Sequence, residues 1–269
     1  MVDVKHAASF VRRVGDTVQQ ARLECILQQK RPPRSVLSAI EDMRNSDGGF
    51  AFWDEEISSI ASTLNILGWV DDLSVKKGAL VDKTFEFLLD HQQEDGGWDE
   101  LKAVRNLKAP PFMTPGETDT RVWLTACCAH WFVRFGRAEP PGAKGCPVRF
   151  LEQHIQPSGL LSGYLRATWD ALVIFGYHPG VDSQLFANTV KAIEDSFAPE
   201  AWDGSVIAWL LRALRDSGLK SDHQLVSRSL DALEKNQLVD GSWGSEDGDE
   251  YSVWATVDAL RVLKDFGRV

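Results

Sequence analysis

Carboxylates recur at one kind of place in this sequence, just before or at the beginning of an apolar stretch. The acids at these places are Asp54, Glu55 and Glu56; Asp99 and Glu100; Glu117 and Asp119; Asp203; and Glu246, Asp247, Asp249 and Glu250. Asp and Glu are favoured at helix N-termini, where they cap free N–H groups and meet the positive end of the helix dipole. The alternative is acid–base chemistry, in which a site controls the proton on such a carboxyl group.

Aromatic side chains mark the same stretches, and ten tryptophans in 269 residues need an explanation. The aromatic residues near the beginnings of the apolar stretches are Trp123, Trp169, Trp209 and Trp254, with Tyr164, Tyr251, Phe52 and Trp53 close by in sequence. A tryptophan face attracts a cation by about 0.5–2 kcal/mol, so a cavity walled in this way suits carbocation chemistry. Plain core packing of large rings is the alternative.

A glycine–aromatic signal recurs along the chain and predicts the elements that position these residues. The close copies are "SDGGFAF" at 46–52, "EDGGWDE" at 94–100 and "VDGSWGS" at 239–245, and two weaker copies are "QPSGLLSGY" at 156–164 and "EAWDGSVIAW" at 200–209. Intervals of roughly 40–60 residues are typical of repeats built from helix pairs. The longest interval contains an insertion at 105–117.

Each copy stands between two different helical patterns. An amphipathic stretch precedes it, as at 81–93 and 225–237, and a more apolar stretch follows it. An amphipathic helix covers a core, whereas a helix that is apolar all round must be buried, so the pattern predicts alternating outer and inner helices. Several apolar helices are predicted to end at a glycine in the left-handed conformation, namely Gly68, Gly136, Gly176, Gly218 and Gly267.

These units give about six helix pairs. Five pairs surround the glycine–aromatic corners, and the N-terminal stretch 3–30, split near Gly15, supplies a sixth. Six pairs can close into a ring whose inner helices line a cavity, while an open solenoid is the alternative arrangement. No strand pattern competes with this all-α prediction.

Composition excludes several classes of function. The net charge of −10 argues against nucleic-acid binding, which needs clustered Lys and Arg. Cysteines 25, 127, 128 and 146 form no Cys-x-x-Cys pair and follow no secretory signal, so we predict reduced thiols in the cytoplasm. The apolar run 122–133 is too short to span a bilayer, although peripheral membrane contact stays open. The oligomeric state is not predicted.

Two of the corners resemble the QW motif of the squalene–hopene cyclase and prenyltransferase repeat superfamily. The first contains Lys83, Phe87–Leu88 and Gln92 to Trp98, and the second contains Ala232–Leu233, Gln237 and Gly241 to Gly244. The stretch from Met43 to Phe50 is a looser copy without the Gln. The resemblance covers most of the chain and implies a single (α/α)6 barrel over residues 1–269. In that family the Gln amide stacks on the Trp and ties neighbouring helix ends together. The motif is specific for fold more than for activity.

The same resemblance assigns a catalytic acid. Class II cyclases protonate an alkene or epoxide with the central Asp of an Asp-x-Asp-Asp motif, and by position Asp119 matches that Asp and Glu117 the first one. Thr120 stands in place of the last Asp, and Arg121 follows it. Glu117 would hold the proton on Asp119, whereas Arg121 and the helix dipole would favour the ionised form. Arg121 would alternatively face a diphosphate, and helix capping is the alternative role of Asp119.

No metal site is predicted. The protein prenyltransferases use zinc held by Asp, Cys and His, with an Asp-x-Cys pair that this sequence lacks. Cys127 and His130 lie one turn apart on an apolar helix, with Cys128 beside them, and a buried Cys is by default a small apolar residue. The adjacent Asp71 and Asp72 are predicted to lie in a helix-end loop. Mg²⁺ enters only with a diphosphate substrate, and no other cofactor is expected.

Three functions follow from these features. The first is a class II-type isoprenoid cyclase or isomerase, which works by protonation-initiated carbocation cyclisation on an apolar isoprenoid substrate. The second is a non-catalytic isoprenoid-binding or interaction subunit. The third is an inverting glycoside hydrolase, because paired carboxylates and aromatic rings also suit sugars, although the Gln…Gly–Trp repeat argues against it. Asp119 and Glu117 are the predicted catalytic residues, and the predicted substrate-binding residues are Trp123, Trp169, Trp209, Trp254, Tyr164, Tyr251 and Arg121.

Overall fold

The computed structural model describes residues 2–51, 56–139 and 142–269. In these ranges the chain forms twelve α-helices and no strand, apart from isolated bridges at two corners. The helices are α1 Val4–Val14, α2 Thr17–Gln28, α3 Arg34–Asp42, α4 Ile60–Asp72, α5 Ala79–Asp90, α6 Thr118–Arg134, α7 Pro147–Glu152, α8 Leu165–Phe175, α9 Gln184–Asp195, α10 Gly204–Asp216, α11 Gln224–Lys235 and α12 Ser252–Asp265. The predicted all-α class is confirmed. Phe52, Trp53, Asp54 and Glu55 lie outside the described residues.

The helices alternate between two degrees of burial, as predicted. Helix α6 is buried without interruption from Val122 to Phe132. Helix α11, in contrast, buries a single stripe. Helices that follow a corner are therefore surrounded by protein, whereas helices that precede a corner cover them on one side.

The N-terminal stretch divides at Gly15 and supplies the sixth helix pair. The Asp3 carboxylate accepts a hydrogen bond from the His6 N–H at 2.9 Å and so caps α1. The Asp16 carboxylate accepts one from the Gln19 N–H at 2.8 Å and so caps α2. Asp3 thus begins α1, and Asp16, directly after Gly15, begins α2. The second cap explains why this stretch forms two helices instead of one.

The chain folds as two compact units. Unit 1 consists of residues up to Ser38, residues 72–74 and residues 196–269, and in it α12 packs against α1, α2 and α10. Unit 2 consists of residues 39–71 and 75–195, and in it α6 packs against α7 and α8. The single barrel domain predicted for residues 1–269 stays a prediction.

The two best-conforming corners are held by their tryptophans. Trp98 and Trp243 are 2% and 0% exposed. Each indole N–H donates to a carbonyl of the preceding helix, that of Leu88 at 2.6 Å and that of Leu233 at 2.7 Å. Each indole is thus buried with its polar atom satisfied, which is the usual condition for a buried Trp.

The motif glutamines link these corners to the segment before another outer helix. The Gln92 side chain donates to the Gly145 carbonyl at 3.3 Å and accepts from the Lys144 N–H at 2.9 Å, just before α7. The Gln237 side chain donates to the Asp3 carbonyl at 3.1 Å and accepts from its N–H at 2.8 Å, just before α1. The amide therefore joins helix ends at both corners through paired hydrogen bonds.

A threonine at the beginning of the following inner helix completes four corners. In each case the N–H of the residue at the aromatic position donates to a threonine hydroxyl, at 2.9–3.1 Å. The pairs are Phe50 with Thr63, Trp98 with Thr125, Leu161 with Thr168, and Trp243 with Thr256. All four threonines are fully buried. This shared contact, which was not predicted from the sequence, ties each of these four corners to the inner helix that follows it.

The predicted glycine ends are correct for three helices, correct in position but not in conformation for α8, and wrong for α4. Gly136, Gly218 and Gly267 have φ of +68°, +92° and +72° and follow α6, α10 and α12. Gly68 lies inside α4, which continues to Asp72, and Gly176 caps α8 with a right-handed φ of −68°. At these two positions packing in the folded protein sets the backbone conformation, and the preference of glycine for a positive φ at a helix end does not.

Asp71 and Asp72 end α4 and do not lie in a loop, which corrects the sequence prediction. In unit 1 the buried Asp72 accepts hydrogen bonds from Arg22 at 2.6 and 3.0 Å. In unit 2 the buried Asp71 pairs with Arg134 at 3.1 Å and with Lys76. These ion pairs neutralise two carboxylates that would otherwise be costly to bury.

Among the described residues, no helix combines the length and the apolar composition that crossing a membrane requires.

The four cysteines are free thiols, three of them buried and Cys146 exposed.

Candidate functional site

The beginning of α6 in unit 2 brings together four of the predicted site residues. Glu117 and Asp119 are exposed in the first turn. Trp123 follows one turn later, and Tyr164 lies at the N-terminus of the neighbouring helix α8. Burial first, and then the negative charges of Asp119 and Glu117, raise the pKa of the Tyr164 phenol. The two carboxylates and the phenol therefore share one electrostatic environment.

Asp119 is held against the backbone of the loop that leads into α8. A Cβ atom added to Gly163 would lie 2.7 Å from the Asp119 Cβ and 2.9 Å from its Oδ1. Gly163 also has φ of +84°, which a side chain disfavours. The glycine thus gives the carboxyl group room beside Tyr164.

Within the part of the chain that the structure describes, no side-chain hydrogen bond caps the beginning of α6. The capping role weighed for Asp119 therefore has no support from its hydrogen bonds. Next to it, the Thr120 hydroxyl is fully buried and has no hydrogen-bond partner among the described residues. A buried polar group without a partner is rare in folded proteins and is a recognised feature of functional sites.

A third aromatic ring, missed by the sequence analysis, joins this group. Phe112, from the insertion, packs edge-on against Trp123 with ring centroids 5.0 Å apart and an interplanar angle of 72°. It also meets Tyr164 at 6.4 Å and 89°. Phe112, Trp123 and Tyr164, together with Glu117 and Asp119, are called the α6 site below.

Arg121 lies away from these acids. Its guanidinium donates to the Asp95 carboxylate at 2.7 Å and sits over the Phe150 ring, 5.0 Å from the centroid. Burial raises the pKa of Asp95, but the hydrogen bonds from Arg121 and from the Gly97 N–H outweigh it, so this pKa is below its ordinary value. In this structure Arg121 supports the corner at Trp98, and its substrate-binding role stays a prediction.

The remaining predicted aromatic residues occupy different positions. In unit 2, Trp169 lies on α8 and is 2% exposed. In unit 1, Trp209 and Trp254 are half-buried on α10 and α12. Tyr251 packs edge-on against Trp254, with centroids 5.3 Å apart. That at least three of the four tryptophans touch a common cavity stays a prediction.

A second polar cluster is buried between α6 and α8. Asp170 accepts from Cys127 Sγ at 3.0 Å and contacts His130 Nδ1 at 2.6 Å, with Arg166 3.6 Å away. Burial raises the pKa of Asp170, yet the His130 contact outweighs it and the pKa is lowered, while burial raises that of the Cys127 thiol. The described residues contain no group of three or more His, Cys, Asp or Glu that could hold a metal ion.

Glu100 is a buried carboxyl group whose pKa is raised above its ordinary value. It is 4% exposed and accepts N–H bonds from Ile60 at 2.8 Å, Ala61 at 3.2 Å and Leu101 at 2.8 Å. Burial raises its pKa to about 7, against the effect of these hydrogen bonds and with a small addition from Asp99. Because its two oxygens accept the Ile60 and Ala61 N–H groups, Glu100 acts as a remote cap of α4, in addition to the local Ser59 hydroxyl, which accepts from the Ser62 N–H at 2.9 Å.

This arrangement predicts a pH-dependent stability. The folded pKa of Glu100, about 7, exceeds its ordinary value of 4.5, so the unfolded state loses this proton first. The stability contributed by protonated Glu100 therefore falls as the pH rises from about 4.5 to about 7, by about 3 kcal/mol. Urea unfolding of Glu100→Gln should lack this component. Glu94→Gln, an exposed acid of the same corner, is the control, and equal pH profiles for the Glu100 variant and wild type would contradict the account.

Comparison with known proteins shows the fold and not the family. Sequence comparison finds no matching family model and no matching curated protein. Among solved structures, a protein from Actinoplanes matches with a TM-score of 0.64 and 16% identity over 98% of both chains. The type II terpene cyclase MstE from Scytonema matches with a TM-score of 0.62 and 14% identity, over 98% of this chain and 97% of that chain.

A complex of an MstE variant with geranylgeranyl dihydroxybenzoate, its substrate, is also similar. The TM-score is 0.57 and the identity 15%, over 94% of this chain and 87% of that chain. The predicted fold class, an all-α fold of the (α/α)6 barrel type, is confirmed by these similarities. The resemblance to squalene–hopene cyclases in particular stays a prediction.

Proposed function

We propose that this protein is a class II-type isoprenoid cyclase, an isomerase that protonates an alkene and closes rings through carbocations. The observation that carries the proposal is the α6 site, where two carboxyl groups stand beside three aromatic rings. The shared fold with a type II terpene cyclase supports the proposal. Acids and aromatic rings could perform several kinds of chemistry, and this fold favours cyclisation among them.

The residues of the α6 site take distinct roles in this proposal. Asp119 donates its proton to the less substituted carbon of the substrate's terminal double bond, so that a C–H bond forms from the alkene π electrons, a tertiary cation remains on the other carbon and Asp119 becomes a carboxylate. The π electrons of the next double bond then form the ring-closing C–C bond to that cation. Glu117, at the N-terminus of the same helix, is the second acid of the site and supports Asp119. The rings of Trp123, Tyr164 and Phe112 stabilise the cation through their faces. Loss of a proton from a neighbouring carbon ends the reaction and forms a new alkene.

The substrate-binding roles of the other predicted residues, Trp169, Trp209, Trp254, Tyr251 and Arg121, stay predictions. The substrate we propose is an apolar prenylated compound, of the kind that MstE binds. Mg²⁺ takes part only if the substrate carries a diphosphate.

The experiment is to incubate the purified protein with geranylgeranyl dihydroxybenzoate, squalene, and farnesyl and geranylgeranyl diphosphates, each with and without Mg²⁺. We expect a cyclic product with the same mass as one of the substrates, since cyclisation by protonation and deprotonation is an isomerisation. Recovery of every substrate unchanged would contradict a catalytic role.

A second function is favoured by one observation. Asp119 is exposed, whereas a strong alkene-protonating acid must be shielded from bulk water. A non-catalytic isoprenoid-binding protein would keep the aromatic residues and need no such shielding. Binding of a prenylated substrate without turnover, unchanged by Asp119→Asn, would establish this second function.

A further inference from the structure

The connection 99–117 between the Trp98 corner and α6, which contains the insertion at 105–117, is firmly anchored. Val104 and Met113 are each 1% exposed and pin its two 3₁₀ turns, Lys102–Asn106 and Pro111–Met113. The Arg105 guanidinium donates to the Pro115 carbonyl at 2.6 Å, and the Gly116 N–H donates to Asp99 at 3.0 Å. A segment held by two buried side chains and by hydrogen bonds at its end presents its remaining side chains in fixed positions.

Phe112 is such a side chain, because it lies next to the buried Met113 but is itself only half-buried. Its ring contacts Trp123 of α6 and Tyr164 at the beginning of α8. Both contacts are edge-to-face, the geometry that aromatic pairs prefer. The insertion therefore contributes one ring in a defined position to the α6 site, and part of that ring is exposed.

We propose that Phe112 sets the length of the isoprenoid chain that the α6 site accepts. This inference rests on the proposed function, because it takes the α6 site to hold an isoprenoid. A phenyl ring and one isoprene unit are of similar size, so removing the ring opens space for one further unit. A rigid wall discriminates chain length better than a mobile one, since the protein cannot relax to fit a longer chain without cost.

Binding of three uncharged prenyl alcohols of increasing length tests this inference without requiring turnover. Geraniol, farnesol and geranylgeraniol are titrated by calorimetry into wild type, Phe112→Ala, Phe112→Leu and Phe112→Trp. We expect Phe112→Ala to shift the affinity ratio at least about tenfold toward the longer neighbour, Phe112→Leu to shift it less, and Phe112→Trp to shift it toward the shorter one.

Phe197→Ala is the matched control. Phe197 is also half-buried and edge-on to a tryptophan, Trp202, with centroids 5.4 Å apart and an angle of 78°, but it lies in unit 1 outside the α6 site. Circular dichroism melting confirms that each variant is folded. If Phe112→Ala and Phe197→Ala leave the length preference equally unchanged while wild type binds, the inference is overturned and the proposed function survives. If wild type binds none of the alcohols, both are overturned.

Discussion

Replacing Trp243 with Ala is expected to lower the free energy of unfolding by about 3–5 kcal/mol. The side chain is fully buried, its indole N–H donates to the Leu233 carbonyl at 2.7 Å, and it packs on the Cα of Gly204, where a Cβ would lie 2.6 Å from its ring. The variant loses the contacts of the ring and leaves a cavity and an unpaired carbonyl. Urea unfolding followed by far-UV circular dichroism measures the change without relying on tryptophan fluorescence.

Trp243→Phe is the informative control, because the equivalent position in the first corner is occupied by Phe50, also buried. This variant keeps most of the apolar contact and loses the N–H donor, so we expect a cost of about 1 kcal/mol. Trp98→Ala should resemble Trp243→Ala, since the Trp98 indole donates to Leu88 in the same manner. A loss below about 1 kcal/mol for both alanine variants would show that the corners do not hold the fold.

The corners were predictable because their determinants are local. A glycine that tolerates positive φ, followed by a large aromatic residue between two helical patterns, lies within one short stretch of chain. Gly96 and Gly241, for example, have φ of +89° and +87°. The same locality explains why the alternation of amphipathic and apolar helices, and with it the all-α class, could be read from periodicity.

The threonine contacts of the corners could not be predicted in this way. The sequence separation between donor and threonine is 13 residues in two corners, 27 in a third and 7 in the fourth. A fixed contact across a variable separation gives no repeating motif. Phe112 was missed for a related reason, because it lies in a connection without helical periodicity.

The side chain of Arg121 shows a further limit of sequence reasoning. Its position next to Asp119 suggested either an effect on that acid or contact with a diphosphate. In the structure it pairs with Asp95, 26 residues earlier in the chain. The direction of a side chain in the first turn of a helix depends on the conformation of the preceding loop. For Arg121 that loop is the insertion at 105–117, whose conformation could not be predicted from the sequence.

Replacing Asp119 with Asn is expected to reduce cyclisation by about 10²–10⁴-fold, the range over which general acids contribute, because the amide cannot supply the proton. Asn keeps the shape of the side chain beside Gly163, so folding and substrate binding should be retained. Glu117→Gln should cause a smaller loss, because it leaves the proton donor Asp119 in place. Product is quantified by chromatography under single-turnover conditions.

Asp203→Asn is the matched control for this experiment. Asp203 is likewise an exposed acid at the beginning of an inner helix, α10, and makes no side-chain cap hydrogen bond. We expect its replacement to leave product formation unchanged. If Asp119→Asn cyclises as well as Asp203→Asn, the proton comes from another group and the role of Asp119 must be abandoned.

The central claim, that an acid of the protein starts the reaction by protonating an alkene, is tested most directly by running the reaction in D₂O. The prenylated substrates are incubated with the deuterium-exchanged protein in the presence of EDTA, and the product is examined by mass spectrometry and NMR. The account predicts a cyclic product with one deuterium on the less substituted carbon of the former terminal double bond, and, for the substrates without a diphosphate, undiminished product formation in EDTA. A cyclic product without deuterium, or one that requires Mg²⁺ and releases diphosphate, would contradict it, because the cation would then arise by ionisation of the substrate.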